Sequence, residues 1–182
     1  MNIYIESASG NKIRATKKAC EAILPESNVI PSVSVHQIGD LPTIKTSLTK
    51  ESCLEGSKNR ARRMNVDPIL ASGSIALGIH KTFIAYSKEK RVTFGLAVSG
   101  FITKEGTVEI VTRFEEIPVE FPDLVKHFKT LIPSEAFELA TGIDISDKRK
   151  PLYTILTGKP EVPWIERLVR EVLSELIDTD RT

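Results

Sequence analysis

Cysteine is scarce in this sequence. Cys20 and Cys53 are the only two among 182 residues, and they belong to no Cys-x-x-Cys or Cys/His spacing, which excludes a disulfide framework and a cysteine-held metal site. Both are expected to be reduced thiols on helices. Long apolar runs are also missing. None approaches the ~18 residues that a membrane-spanning helix needs, and no basic segment followed by an apolar core and a cleavage site opens the chain. The expectation is a soluble, cytoplasmic protein with no membrane partner. Charge of one sign does not dominate either. Lys and Arg number 25 against 24 Asp and Glu, so no global field draws in nucleic acid or anionic lipid, and any charged ligand must be held locally. The basic run Lys58, Arg60, Arg62 and Arg63 lacks the interleaved aromatics on which single-strand binders stack bases. It reads as a solvated helix face from which Lys58 or Arg60 can reach a phosphate. Repeats, low-complexity tracts and flexible linkers are absent, and residues 1–182 are read as a single domain long enough to bury a sizeable core.

What is present is a change of period along the chain. The extended run Ile3-Tyr4-Ile5 is followed over 12–24 by Ile13, Thr16, Ala19, Cys20 and Ile23 at helical spacing, with Pro25 ending the helix. Residues 28–38 read as a strand, through Val29, Val33 and Val35. A loop over 39–47 leads to a second helix over 49–64, with Leu54, Ala61 and Met64 inward and Glu51, Glu55, Lys58 and Arg62 outward. From Ile69 to Phe114 alternation predicts short sequential strands. Val92, Phe94, Leu96 and Val98 share one face, and Thr93, Gly95, Ala97 and Ser99 the other. Lys104-Glu105-Gly106 makes a hairpin turn into Val108-Glu109-Ile110-Val111, with antiparallel pairing. Pro118 and Pro122 bracket an extended link into a helix carrying Leu124, Val125, Phe128, Leu131 and Ile132. Ser134 caps a short helix after it. Ile165, Leu168, Val169, Val172, Leu173 and Leu176 trace the clearest apolar stripe, a terminal helix facing the core. Together these elements predict an α/β (α+β) domain with a mixed twisted sheet flanked by helices.

The first strand runs into Ser7-Ala8-Ser9-Gly10-Asn11-Lys12 and then directly into a helix. A helix start offers unpartnered N–H groups and a positive dipole end, which suit phosphate oxygens. Ser7 and Ser9 add hydroxyls, Lys12 adds a charge, and Gly10 permits close approach or a strained turn. The same residues serve equally as ordinary capping and turn chemistry. Ser9 to Lys12 also fits Ser-x-x-Lys, but the companion motifs of serine acylases are missing.

The order of features over nearly the whole chain resembles the inosine/xanthosine triphosphatase family. That family opens with a strand and a Ser/Thr-x-Asn-Pro-x-Lys turn, a frame occupied here by Ser7 to Lys12. Its Gly-Ala-x-Asn-Arg-Ala helix is similar to Gly56-Ser57-Lys58-Asn59-Arg60-Ala61, the most specific match. Phe114 to Pro118 looks like its lead-in to a helix, and Leu156-Thr157-Gly158 like its late Leu-Thr-x-Gly. The resemblance implies an inosine triphosphate pyrophosphatase-like fold and a homodimer. It also implies a purine nucleoside triphosphate ligand on Ser7, Ala8, Ser9, Gly10, Asn11, Lys12, Asn59 and Arg60, and magnesium or manganese as cofactor where the enzyme is active.

The chain departs from that pattern at the acids. Where the family carries acidic residues, this chain has His36, Ser74 and His80, and the Glu-Thr pair falls near Ser52-Cys53. Pro160 to Trp164 occupy the place of an expected arginine. Neutral imidazole replaces carboxylate poorly around a hard cation, and triphosphate hydrolysis needs charge neutralisation and a positioned water. The expected function is therefore a degenerate member acting as a nucleotide- or phosphate-binding or protein-interaction module, with no catalytic residue and no metal ligand assigned. The alternative is an active metal-dependent hydrolase of inosine or xanthosine triphosphate, with Glu6, Asp40, Glu51 or Glu55 supplying displaced carboxylates and His80 assisting water. His36, His80 and Asp40 follow no recognised ligand pattern. His127 reads as a solvated residue, and Asp147 to Lys150 as a loop over an anion or a plain connection.

Overall fold

The computed structural model describes residues 1–32, 48–65, 73–86, 88–89, 91–104, 107–119, 137–139, 141–143 and 151–178. His36, Asp40, His127, the helix expected over 124–132, Ser134 and the 147–150 loop lie outside them. Chain order is β1 (Asn2–Glu6), α1 (Gly10–Ile23), β2 (Asn28–Ser32), α2 (Lys50–Asn65), β3 (Ile75–Tyr86), β4 (Arg91–Lys104), β5 (Thr107–Val119), α3 (Leu152–Thr157) and α4 (Glu161–Asp178).

The five strands form one mixed sheet in the order β2-β1-β3-β4-β5. β1 runs parallel to both β2 and β3, while β3, β4 and β5 form an antiparallel meander. This mixed sheet with flanking helices is the α+β class expected. The meander strands have 12, 14 and 13 residues, longer than the short strands expected. Pairing runs without a break: the register Ile75↔Ile102 to Tyr86↔Arg91 holds along all of β3, and Val92↔Val119 to Lys104↔Thr107 along all of β5. Pro118 is part of β5, opposite Thr93. Proline is tolerated there because β5 ends the order of described strands, leaving one side of its backbone without a ladder partner.

Two unlike layers cover the sheet. One face is built from Ile3, Ile5, Ile75, Leu77, Ile79, Phe83, Val92, Phe94, Leu96, Val98 and Ile102, and packs with the helical residues Ala15, Ala19, Cys20, Trp164, Ile165, Leu168, Val169, Val172, Leu173 and Leu176 in one core cluster. Every residue of the predicted terminal stripe is buried in α4. Each large aliphatic side chain so buried contributes about 1.5–3 kcal/mol of transfer free energy. Gly158 ends α3 in a left-handed conformation, its N–H bonding to the Thr154 carbonyl at 2.9 Å.

The opposite face carries small residues. Ala76, Gly78, Ala97 and Ser99 lie against α2, whose buried residues are Cys53, Ser57, Ala61 and Met64. A Cβ built on Gly78 would fall 1.9 Å from the Ser57 carbonyl oxygen and 2.6 Å from the Ala61 nitrogen, so only glycine lets the helix backbone lie this close to the strand. Hydroxyls complete the layer: Ser57 Oγ pairs with Ser99 Oγ at 2.7 Å, and Ser99 with Thr112 Oγ1 at 2.9 Å. Each of these three hydroxyls therefore has a partner. Cys20 and Cys53 are free, buried and helix-borne, as expected.

Candidate functional site

From β1 the chain passes through α1 to β2 on one side, then crosses back through α2 to β3 on the other. The strand order thus reverses at β1, with α1 and α2 on opposite faces. A crevice opens at such a reversal, outside the carboxyl ends of the strands. β1 stops at Glu6, but β3, which pairs Ile5 with Leu77, continues to Tyr86. Beyond the end of β1 the edge of β3 is free to meet other groups.

The Ser7 to Lys12 turn folds into this crevice. Ser7 is buried, and its Oγ accepts the Ser9 N–H at 3.0 Å. Ser9 occupies the N-cap of α1, where its side chain makes no capping bond, and the first turn holds no acidic residue. Ala8, Ser9 and Gly10 are exposed. Gly10 is not among the positive-φ glycines, and a Cβ there would meet nothing within 4 Å. Of the two roles open to Gly10, close approach or a strained turn, the strained turn is not the one adopted. What remains is open space over the start of the helix.

Lys12 turns inward, and its Nζ donates to the Ile79 carbonyl on the free stretch of β3 at 2.7 Å. Burial pushes it down, and the charges of Arg60 and Lys81 push further, to about 7. The carboxylates Glu161 and Glu6 oppose that shift without cancelling it. Lys81 is ion-paired with Glu161, whose other oxygen accepts from Asn11 Nδ2 at 3.2 Å. Glu6, at the end of β1, lies 3.6 Å from Arg63 and 4.0 Å from Arg60. His80 lies beside this cluster, its ring so close to α2 that a Cβ on Gly56 would stand 2.8 Å from Cδ2. Burial, then Arg60 and Lys12, push His80 down to about 4. At neutral pH it is an uncharged ring, a weak base for water and no counter-charge for an anion.

Of the residues expected at the site, the structure brings together Ser7, the start of α1, Asn11, Lys12 and Arg60. Asn59 points elsewhere: it is exposed, and its Oδ1 accepts from Arg62 at 3.1 Å. Glu51 and Glu55 are exposed on α2, with Glu55 paired to Arg62 at 2.6 Å. Three contributors escaped the sequence reading. Lys81 adjoins His80 within the strand that resembles the family's, but the resemblance gives it no role. Arg63 belongs to the basic run that reads as a solvated helix face. Glu161 lies in the Pro160 to Trp164 segment, which the resemblance marks only by its lack of an arginine.

Magnesium and manganese prefer carboxylate oxygens. Among the described residues no group of three His, Cys, Asp or Glu side chains converges, and Glu6 and Glu161 already face cations. With Lys12, Arg60, Arg63 and Lys81 around them, these residues do not fit a divalent cation held by the protein. Their chemistry suits an anion.

No family model and no curated protein matches the chain. Among solved structures it is similar to protein VC0702 from Vibrio cholerae, with a TM-score of 0.62 and 14% identity over 99% of this chain and 97% of that one. At this identity the likeness shows a shared fold, in which the mixed sheet and its flanking helices are common to both chains.

Proposed function

We propose that this chain is a nucleotide- or phosphate-binding module on a triphosphatase-type scaffold, with hydrolysis weak or lost. One observation carries the reading: Lys12, Arg60 and Lys81 converge from α1, α2 and β3 at the start of α1, outside the end of β1. Like charges gathered around a buried amine repel one another, and an anion among them relieves the repulsion. The ligand class, a purine nucleoside triphosphate, comes from the motif resemblance of Ser7 to Lys12 and Gly56 to Ala61.

Metal-dependent hydrolysis of inosine or xanthosine triphosphate is the second reading. It is favoured by the two carboxylates, Glu6 and Glu161, that reach the crevice, and weakened by their pairing with cations. A homodimer and a cytoplasmic setting belong to the same proposal. Val108 and Ile110, 44% and 46% exposed on β5, are apolar surface that a second copy would cover.

Thermal unfolding with inosine triphosphate, with and without magnesium, alongside phosphate and pyrophosphate release, separates the readings. Ligand at a hundred times its Kd should stabilise the fold by about 2.7 kcal/mol, with no release above background and a loss of stabilisation in Lys12→Ala. Metal-dependent release abolished by Lys12→Ala would establish the second reading. Neither stabilisation nor release would sink both.

A further inference from the structure

Among the described residues the crevice contains four cationic side chains and two acids, and both acids have cationic partners. Glu161 accepts from Lys81 and Asn11, and Glu6 lies against Arg60 and Arg63. Among the described residues the hydrogen bond of the Lys12 amine goes instead to a neutral carbonyl, that of Ile79. Among the described residues, charged and titratable groups face it from the elements packed around it: Glu6 on β1, Arg60 on α2, His80 and Lys81 on β3, and Glu161 on α4. On its own helix Arg14 is exposed and bonds to Asn11 Oδ1 at 2.9 Å.

We infer that the crevice takes up its anion together with one proton, which settles on Lys12 Nζ. The inference rests on the anion-binding reading above and adds its regulation: affinity set by pH. Before the anion arrives, an ammonium at Lys12 must be buried beside two other cations with a neutral carbonyl as acceptor, so the amine sheds its proton readily. An anion drawn in by Arg60, Lys81 and the start of α1 becomes the bonded counter-ion that Lys12 lacks among the described residues, and the amine lone pair takes a proton from solvent. No covalent bond to the ligand forms or breaks. Burial and the neighbouring cations hold Lys12 at about 7 in the anion-free protein, and a negative charge within 4–6 Å raises such a value by about 1–3 units. His80, pushed down to about 4, stays neutral above pH 6 and does not mask the effect.

Inorganic sulfate is the probe, because it stays a dianion throughout and contributes no proton of its own. In calorimetric titrations of the intact chain from pH 6 to 9, affinity should fall as pH rises above 7, by at least about fivefold between pH 7 and 9 and by up to about tenfold per pH unit where the anion raises Lys12 most. At pH 8, titrations in two buffers of different ionisation enthalpy should show about 0.4–0.9 of a proton taken up per sulfate. Lys12→Arg, whose charge is permanent, should bind sulfate with an affinity constant within about twofold over the same range. Binding by the wild-type chain that is equal from pH 6 to 9, with no buffer dependence, overturns the inference and leaves the anion site standing. Failure to bind sulfate at any pH overturns the anion site, and the inference with it. The two-buffer measurement needs no variant, so the result does not depend on how well Lys12→Arg folds.

Discussion

The two sides of the sheet are closed by different means. On the α1/α4 side, long aliphatic side chains fill the space between sheet and helix. On the α2 side, Ala76, Gly78, Ala97 and Ser99 let a helix backbone settle almost onto the strands. The first side can yield, because side-chain ends rotate. The second cannot at Gly78, because the atoms nearest it there are backbone. The crevice forms where the two meet past the end of β1: Lys12 and Glu161 arrive from the yielding side, and Arg60 and His80 from the rigid one. A rigid wall suits the latter pair, since the ring of His80 and the guanidinium of Arg60 are placed by α2 rather than by loops.

Paired glycine substitutions break this comparison most directly. Gly78→Ala places a methyl 1.9 Å from the Ser57 carbonyl, a clash that only backbone movement relieves, and should cost about 4 kcal/mol or prevent folding. Gly100→Ala on the other side meets Val172 Cγ1 and Leu176 Cδ1, each at 2.6 Å. Leu176 Cδ1 can turn away, whereas Val172, stiff at χ1 on a helix, must shift slightly, so the cost should be smaller than at Gly78, about 2 kcal/mol. Urea unfolding of both variants is the measurement. Equal losses would show that the two layers are equally rigid.

The same contrast explains what the sequence disclosed. Large apolar residues at helical or alternating spacing leave a strong periodic signal, so α4 and the Val92 to Val98 face of β4 were legible residue by residue. The α2 layer buries Cys53, Ser57, Ala76, Gly78 and Ser99, which carry little hydrophobic signal and whose tight fit depends on a partner far away in the chain. Within the crevice, Lys12 was legible because the turn and helix start are local. Lys81, Arg63 and Glu161 were not, because nothing in their own neighbourhoods says that β3 outruns β1 and brings them to its end.

Lys12 sharpens the comparison by testing what the yielding side contributes. Its value is about 7 in the folded chain against an ordinary 10.5, so between those limits the unfolded chain binds more protons. Stability therefore rises with pH across that window and is lowest, as far as Lys12 is concerned, below pH 7. Between pH 7 and 9 this contribution should amount to about 2 kcal/mol. Lys12→Met should remove the rise and be more stable than the wild type at pH 7, as read from urea unfolding at both pH values. A wild-type rise that survives in Lys12→Met would show that Lys12 is charged and well solvated in the folded chain.

His80 supplies the smallest effect and tests the rigid side. Its folded value, about 4, lies below the ordinary 6.5, so the neutral ring favours the fold and this contribution is lost as pH falls from 6.5 towards 4. Between pH 6 and 5 the loss should be about 1 kcal/mol, discounted for partial solvent access. His80→Gln, which cannot titrate, should lack that portion of the acid sensitivity. The chain has three histidines, so an NMR titration can follow each ring separately. A His80 midpoint near 6.5 would mean that the ring has left Gly56 for solvent. Because Arg60 is the largest charge acting on His80, Arg60→Gln should move its midpoint upward while Lys81→Gln leaves it nearly unchanged. The electrostatics of the crevice would then be fixed chiefly by the helix that the glycine strand holds in place.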